Sequence, residues 1–196
     1  FAISSPDMVL AAIAGQTKRI RLGSAVTVLS SDDPVRVFQR FATLDAASGG
    51  RAEVILGRGS FTESFPLFGF QLSQYEPLFE EKLDLFDALL DYNRTHRPIT
   101  WEGSVRSSLT DQCVFPLTES GELMTWIGVG GSVESMVRAA GFGMPVMLAI
   151  IGGDPRRFLP HVRMYRHTFD PSGETGLPLG VHSPGYVAET DEQARE

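Results

Sequence analysis

Short apolar runs alternate along the chain with stretches in which apolar residues recur every three or four positions. The runs at 20–29, 52–56, 125–129, 145–151 and 177–186 are largely apolar and carry few charges. Such runs are typical of strands that are covered on both faces. The stretches between them predict amphipathic helices. Alternating strands and helices indicate a parallel sheet with crossover helices, which is an α/β fold.

The predicted helices have definite ends and apolar faces. The first covers 5–17. The second begins at Pro34 with Asp33 as its N-cap and ends at Gly49-Gly50. Others are predicted over 75–92, over 133–141, from Asp154 to about His167, and from Asp191. The apolar faces are Val9, Ala12 and Ile13; Val35, Phe38, Phe41 and Ala42; Leu78, Phe79, Leu83, Phe86 and Leu90; and Val133, Met136, Val137 and Ala140.

One excursion, at about 61–120, interrupts the alternation. It contains the aromatic loop FTESFPLFGF, a helix, and a predicted hairpin over 98–117. We interpret residues 1–196 as a single domain. Five strands fit an incomplete barrel and a doubly wound open sheet equally well. Because a helix begins at Asp191, close to the last residue, we expect the chain to be part of a longer protein.

Composition limits the kinds of binding partner and the cellular location that we expect. The 196 residues carry a formal charge of −7, which disfavours nucleic acid and anionic membranes because both reward clustered Lys and Arg. The lone Cys113 provides no disulfide framework, so we expect a reducing compartment. We also expect a cytoplasmic location, since FAISSPDMVL does not resemble a signal peptide and no apolar run is long enough to cross a bilayer.

Two glycine-rich turns carry candidate chemistry. Gly57-Arg58-Gly59-Ser60 follows the second strand, and Gly130-Gly131-Ser132 follows the third. Glycines allow close approach of a ligand to the backbone, and a helix N-terminus favours phosphate. The alternative is a tight turn in which Ser132 only caps its helix. Small residues at 23–27 similarly leave space for a flat ring, or simply pack the core.

The sequence motifs of several other kinds of functional site are absent from the chain. No GxGxxG turn with a later acidic residue follows a strand, so a Rossmann dinucleotide site is not expected. Neither HExxH, paired CxxC nor GxSxG occurs, and no metal site is predicted. His182 lies near the end of the last strand, where barrels place catalytic groups, but we favour the interpretation of a core histidine satisfied by hydrogen bonds. No catalytic residue is assigned.

Two longer blocks resemble a known family. RIRLGSAV, followed by DPVRV, LD, SGGR and GRGS in that order, is similar to the luciferase-like flavin-dependent monooxygenases, and so is WIGVGGSVESMVRAAGFGMPVMLAIIGGDP. The resemblance implies a (β/α)₈ TIM barrel that is incomplete in this chain. The strands present would be about the third to the seventh.

The resemblance implies an FMN-dependent oxidoreductase, a monooxygenase that uses reduced FMN and O₂ on a small organic substrate. A separate flavin reductase and a homodimer are expected with it. Two alternatives keep the same fold. One is a flavin-binding protein without turnover, and the other is an enzyme that transfers hydride with the deazaflavin F420.

The resemblance also implies positions for the cofactor. The isoalloxazine ring would lie against the end of the first strand, where a cis peptide without proline is expected at Ala25–Val26, and Gly57 would face the ring. Aromatic side chains of the 61–70 loop would line the substrate space. The implied cofactor-binding residues are Ala25, Val26, Thr27, Gly57, Arg58, Gly130, Gly131, Ser132 and Ser135, and the lining residues are Phe61, Phe65 and Phe68.

Overall fold

The structure, a computed structural model, describes residues 3–169 and 177–195. It divides between Ile127 and Gly128 into two compact units. The first contains helices α1 (Pro6–Ala14), α2 (Pro34–Ser48), α3 (Ser64–Leu67) and α4 (Tyr75–Thr95), with strands β1 (Leu22–Val28), β2 (Ala52–Gly57), β3 (Ile99–Trp101), β4 (Leu109–Gln112) and most of β5 (Met124–Val129). The second contains α5 (Val133–Gly141), β6 (Val146–Ala149), α6 (Leu159–Phe169), β7 (Leu179–His182) and α7 (Asp191–Arg195).

All the strands predicted from the apolar runs are present and parallel to their neighbours. In the first unit β2 lies between β1 and β5, with Ala25 opposite Ile55 and Leu56 opposite Ile127. In the second unit β6 pairs with β7, and Val146 lies opposite Leu179. The predicted α/β alternation is therefore confirmed. The interpretation as a single domain stays a prediction.

Helix α2 begins and ends where the sequence predicts. The Asp33 side chain accepts hydrogen bonds from the backbone N–H groups of Val35 and Arg36 at 3.0 and 3.2 Å. Gly49 ends the helix in the left-handed region at φ 67°. Phe38, Phe41 and Ala42 are buried as predicted, but Val35 is only half-buried and Val37 takes the core position instead.

Arg51, the last residue of the SGGR motif, forms hydrogen bonds with the segment that connects α1 to β1. Its guanidinium donates to the carbonyl oxygens of Ala14, Thr17 and Ile20 at 3.0, 3.1 and 2.7 Å. It also donates to the carbonyl of Ser48 at 2.7 Å. One side chain thus satisfies carbonyl groups that follow the end of α1 and would otherwise need other donors.

The excursion contains the predicted hairpin, in which β3 and β4 are antiparallel. The aromatic loop differs from the expected substrate wall. Phe65 is buried and stacks on Tyr75 with a centroid distance of 5.6 Å, so it packs the loop down onto α4. Phe61 and Phe68 are more than half exposed.

The predicted apolar faces of two helices are wrong in part. Val9, Ala12 and Ile13 of α1 are exposed, and Ala14 is the residue of that helix that is buried. In α5 Val133 and Val137 are exposed, whereas Met136 and Ala140 are buried as predicted, with Ser135 and Ala139 beside them. An apolar stripe is buried only where a neighbouring element covers it, and periodicity alone does not fix that direction.

No helix within the described ranges has the length and apolar character needed to span a bilayer.

Candidate functional site

The ends of β1 and β2 form the first group of candidate residues. The peptide bond between Ala25 and Val26 is cis, as the resemblance implies. The register of β1 against β2 shifts between Ala25 and Thr27 at the same point. Val26 is half-buried there, while Ala25 is exposed. Ala25 therefore places a small side chain on the accessible surface at the strand end.

Two glycines of β2 and its turn lie in close contact with β1. A Cβ atom at Gly57 would lie 2.7 Å from Cγ2 of Val26, and one at Gly59 would lie 2.9 Å from Cγ1 of Val28. Separations under 3.0 Å force a neighbour to move. Gly59 in addition has φ 78°, in the left-handed region that favours glycine. Both glycines are therefore required by the close approach of the two strands.

A buried hydroxyl pair supports the same strand end. The Ser24 and Thr27 side-chain oxygens lie 2.7 Å apart, and both residues are buried. The pair satisfies polar atoms that would otherwise be costly to bury. Thr27 is thus a structural support of this site as well as a candidate contact.

Arg58 is held by α4. Its guanidinium forms an ion pair with Glu76 and lies over the ring of Tyr75, 5.2 Å from the centroid. The Tyr75 hydroxyl donates to the carbonyl oxygen of Gly59 at 2.9 Å. The arginine is largely covered, with 23% of its side chain exposed. It is a positioned cation next to a glycine-rich turn, as anion recognition requires.

The second group surrounds the start of α5. Gly131 has φ 110°, and Ser132 follows as the N-cap, its Oγ accepting from the backbone N–H of Ser135 at 3.3 Å. The Ser132 hydroxyl also donates to Oγ of Ser135 at 2.7 Å. A Cβ at Gly130 would meet nothing within 4 Å. The first turn therefore combines orphan N–H groups with open space beside the backbone.

The candidate residues therefore fall into two sets. Ala25, Val26, Thr27, Gly57 and Arg58 come together in the first unit. The second set, in the second unit, is Gly130, Gly131, Ser132 and Ser135.

Other candidates contribute less. Glu134, an acidic residue in the first turn of α5, is exposed, and so is His182 at the end of β7. The described residues include no cluster of three or more His, Cys, Asp and Glu side chains suited to a metal ion.

Sequence reasoning missed the neighbours of Arg58 and a buried lysine. Tyr75 and Glu76 begin α4, but nothing in their spacing indicates contact with a turn 16 or more residues earlier. Lys82 does leave a signal, because it falls among Leu78, Phe79, Leu83 and Phe86 on the apolar stripe of α4. A charged residue on such a stripe indicates a buried ionisable group.

The sequence profile of luciferase-like monooxygenases matches residues 1–196. Among curated proteins, an uncharacterized Sinorhizobium fredii protein, y4wF, is 43% identical over 65 residues, which are 33% of this chain and 19% of that protein. The 4-hydroxyprotoasukamycin monooxygenase of Streptomyces nodosus subsp. asukaensis is 35% identical over 88 residues, covering 45% of this chain and 24% of that enzyme.

Three solved structures share the fold. Monooxygenase RslO1 from Streptomyces bottropensis has a TM-score of 0.82 at 23% identity, covering 97% of this chain and 57% of that one. The oxygenating constituent of 3,6-diketocamphane monooxygenase from Pseudomonas putida, in complex with FMN, has a TM-score of 0.76 at 18% identity. The match covers 98% of this chain and 55% of that one. The F420-dependent tetrahydromethanopterin reductase of Methanopyrus kandleri has a TM-score of 0.76 at 19% identity. The match covers 96% of this chain and 57% of that one.

These likenesses decide between the two architectures that the strand count allows. The fold is that of a (β/α)₈ barrel, and the chain supplies part of it. It spans little more than half the length of each of the three solved chains.

Proposed function

The chain belongs to the luciferase-like monooxygenase family, and we propose that its protein is an FMN-dependent oxidoreductase, a monooxygenase that acts on a small organic substrate with O₂. The observation that carries the proposal is the shared end of β1 and β2, where Gly57 places no side chain against Val26 and beside the small, exposed Ala25. The resemblance implies these positions for the cofactor, at the strand end where the flavin ring would lie. Family membership alone leaves the cofactor open.

The residues of β1 and β2 suit a flat ring. Ala25 is small and exposed, and Gly57 has no side chain to project over the strand end. In the proposed complex these residues, with Val26 and Thr27, bind and orient the isoalloxazine. Their rigid packing means that little ordering is needed when the cofactor binds, which favours affinity.

Each unit offers groups suited to the phosphate of FMN: Arg58 in the first unit, and the turn at the start of α5 in the second. Arg58 supplies a charge-assisted hydrogen bond. Gly130 and Gly131 admit the phosphate to the backbone, and the hydroxyls of Ser132 and Ser135 lie within the same turn. The N–H groups and dipole of the helix add to the attraction. Arg58 is ion-paired with Glu76, so binding requires the arginine to share or exchange that partner.

Reduced FMN, when bound, supplies the electrons with which O₂ is activated for transfer to an organic substrate. The protein's part is to hold the ring at β1 and β2, to neutralise the phosphate and to keep water from the site. A flavin reductase as electron source, a homodimeric assembly and a cytoplasmic location complete the proposal.

The test is FMN binding by the full-length protein, followed through quenching of flavin fluorescence. Arg58→Gln should weaken binding about tenfold to a hundredfold, because one charge-assisted hydrogen bond to phosphate is lost. Arg94→Gln is the matched control, since Arg94 is exposed and pairs with Asp91 on the same helix. Absence of saturable binding, or equal affinities for the two variants, contradicts the proposal.

F420 is the second candidate cofactor, because a solved relative of the same TM-score as the FMN complex is F420-dependent. Competition between FMN and F420 for the protein separates the two. If F420 displaces FMN at equal concentration, the hydride-transfer alternative replaces the monooxygenase. Oxygen consumption with a flavin reductase and NADH then distinguishes an enzyme from a flavin-binding protein without turnover.

A further inference from the structure

A cavity of about 250 Å³ lies beyond the carboxyl end of β1 and contains none of the residues assigned to the flavin. Its charged lining residues are Asp32, Asp33, Lys82 and Arg106, and its apolar walls include Phe68 and Phe70. Typical sites for drug-sized ligands measure roughly 300–1,000 Å³. This cavity is therefore suited to a ligand about as large as one substituted ring.

Lys82 is the unusual member of the lining. The residue is 3% exposed, and its ammonium donates one hydrogen bond, to the carbonyl oxygen of Ser30 at 2.6 Å. Nζ also lies 4.4 Å from the centroid of the Phe70 ring. An ammonium has three donors. Over the ranges that the structure describes, no carboxylate forms an ion pair with it, although buried charges are normally paired.

The two carboxylates of the cavity already have cationic partners. Asp33 accepts from Nε of Arg106 at 2.7 Å, in addition to the N–H groups that it caps. Asp32 pairs with Arg40 and accepts from the backbone N–H of Asp33 at 2.8 Å. Within the part of the chain that the structure describes, both carboxylates thus contact a cation, whereas the Lys82 ammonium contacts no carboxylate and keeps donors for a ligand. This arrangement favours an anionic ligand over a cationic one.

We propose that this cavity is a binding site for a small organic anion, in which Lys82 binds a carboxylate and Phe68 and Phe70 contact a flat apolar body. Arg106 lies in the same lining, where its guanidinium is paired with Asp33, so Lys82 is the cation assigned to the ligand. The site is separate from the proposed flavin contacts. It does not depend on the identity of the cofactor.

The charge of Lys82 makes binding depend on pH. Burial lowers the pKa of Lys82 to about 8, although Asp33 and Asp32 act to raise it and Arg106 lowers it further. An anion binds the protonated form and raises that pKa in turn. Affinity should therefore be highest below pH 8 and fall as Lys82 loses its proton.

The experiment uses benzoate as the probe, with Lys82 as the reporter and Lys18 as the control. With lysine labelled by ¹⁵N at Nζ, benzoate should shift the Lys82 resonance saturably and leave that of the exposed Lys18 in place. A probe of about nine non-hydrogen atoms is expected to bind with a Kd of about 1 mM. Uncharged benzamide and cationic benzylamine should bind at least about tenfold more weakly.

Variants separate this site from the flavin site. Lys82→Met should weaken benzoate binding about tenfold or more, whereas Lys18→Met and Arg58→Gln should leave it unchanged. If Lys82→Met does not fold, the resonance of Lys82 in the unchanged protein decides. The proposal is overturned if that resonance does not respond, if benzamide or benzylamine binds as well as benzoate, or if Arg58→Gln abolishes binding. Loss of FMN binding in Arg58→Gln, by contrast, bears only on the proposed cofactor.

Discussion

At the scale of single residues, the arginines of two neighbouring motifs have different tasks. Arg51 of SGGR is bound to backbone carbonyls and to Ser48, and its role is structural. Arg58 of GRGS is bound to a carboxylate and lies over an aromatic ring. The sequence places both beside glycine-rich turns and does not distinguish them. Their partners distinguish them: Arg51 contacts carbonyl groups between the end of α1 and the start of β1, and Arg58 contacts side chains of α4. Those contacts depend on tertiary packing.

Glu76 should limit cofactor affinity, because its carboxylate competes with phosphate for Arg58. Glu76→Gln is expected to tighten FMN binding about twofold to fivefold, since the partly exposed ion pair is worth up to about 1 kcal/mol. Fluorescence quenching at low ionic strength measures the change. Glu80→Gln, one turn further along α4, is the control. Weaker binding in Glu76→Gln would mean that Glu76 orients Arg58 instead of competing for it.

At the scale of elements, capping and turn residues predicted the ends of helices better than apolar periodicity predicted which helix face is buried. Asp33, Pro34 and Gly49 set the limits of α2 through hydrogen bonds and backbone angles of those residues themselves. The buried faces of α1 and α5 depend on which neighbouring element covers them, so the apolar stripe predicted those faces wrongly in part. The residues of the proposed cofactor site were found from turn chemistry and resemblance together. The cavity around Lys82 was not found, because four separate segments contribute to it.

The N-cap of α2 should contribute measurably to stability. Asp33→Ala is expected to lower the free energy of unfolding by about 1–2 kcal/mol, because two backbone N–H groups lose their acceptor. Asp33→Asn retains an acceptor and should lose less. Urea denaturation at neutral pH measures both. Equal losses in the two variants would place the contribution in the ion pair with Arg106 instead of the cap.

The same aspartate gives a pH dependence at the acidic end. Burial acts to raise the pKa of Asp33, but the hydrogen bonds from Arg106 and from the backbone of Arg36 and Val35 outweigh it and lower the pKa. A lowered pKa stabilises the fold above the ordinary value of about 3.8. That stabilisation is lost as pH falls below it. Asp33→Asn should lack this acid-dependent part.

At the scale of the whole molecule, the order of strands and helices follows from the sequence, whereas the assignment of the fold to a barrel does not. Alternating apolar runs and amphipathic stretches predict parallel strands, but their number fits a barrel and an open sheet equally. Likeness to solved chains resolved that choice. The division of the described chain into two compact units after Ile127 is not predictable from the sequence, because no change of composition and no linker marks the point.

Lys82 should make the stability of the whole protein depend on alkaline pH. Its pKa is lowered from 10.5 to about 8, so the cost of burying the charge is full below pH 8 and disappears as pH rises toward 10.5. Relative to Lys82→Met, the unchanged protein should gain up to about 3 kcal/mol between about pH 7 and about pH 10. Urea denaturation at both values measures this difference. Lys82→Leu should give the same pH dependence, and a difference that stays constant with pH would contradict it.

The contact between Gly57 and Val26 has a consequence for how this strand pair can vary. The space between the Cα atoms of Gly57 and Val26 is filled by the isopropyl group of Val26. A Cβ atom added at position 57 would lie 2.7 Å from Cγ2 of that group. The two positions therefore share a fixed volume, and a larger residue at one is compatible only with a smaller residue at the other. Natural diversity at this strand end should take the form of exchanges between the pair, with single enlargements at 57 absent while valine stands at 26.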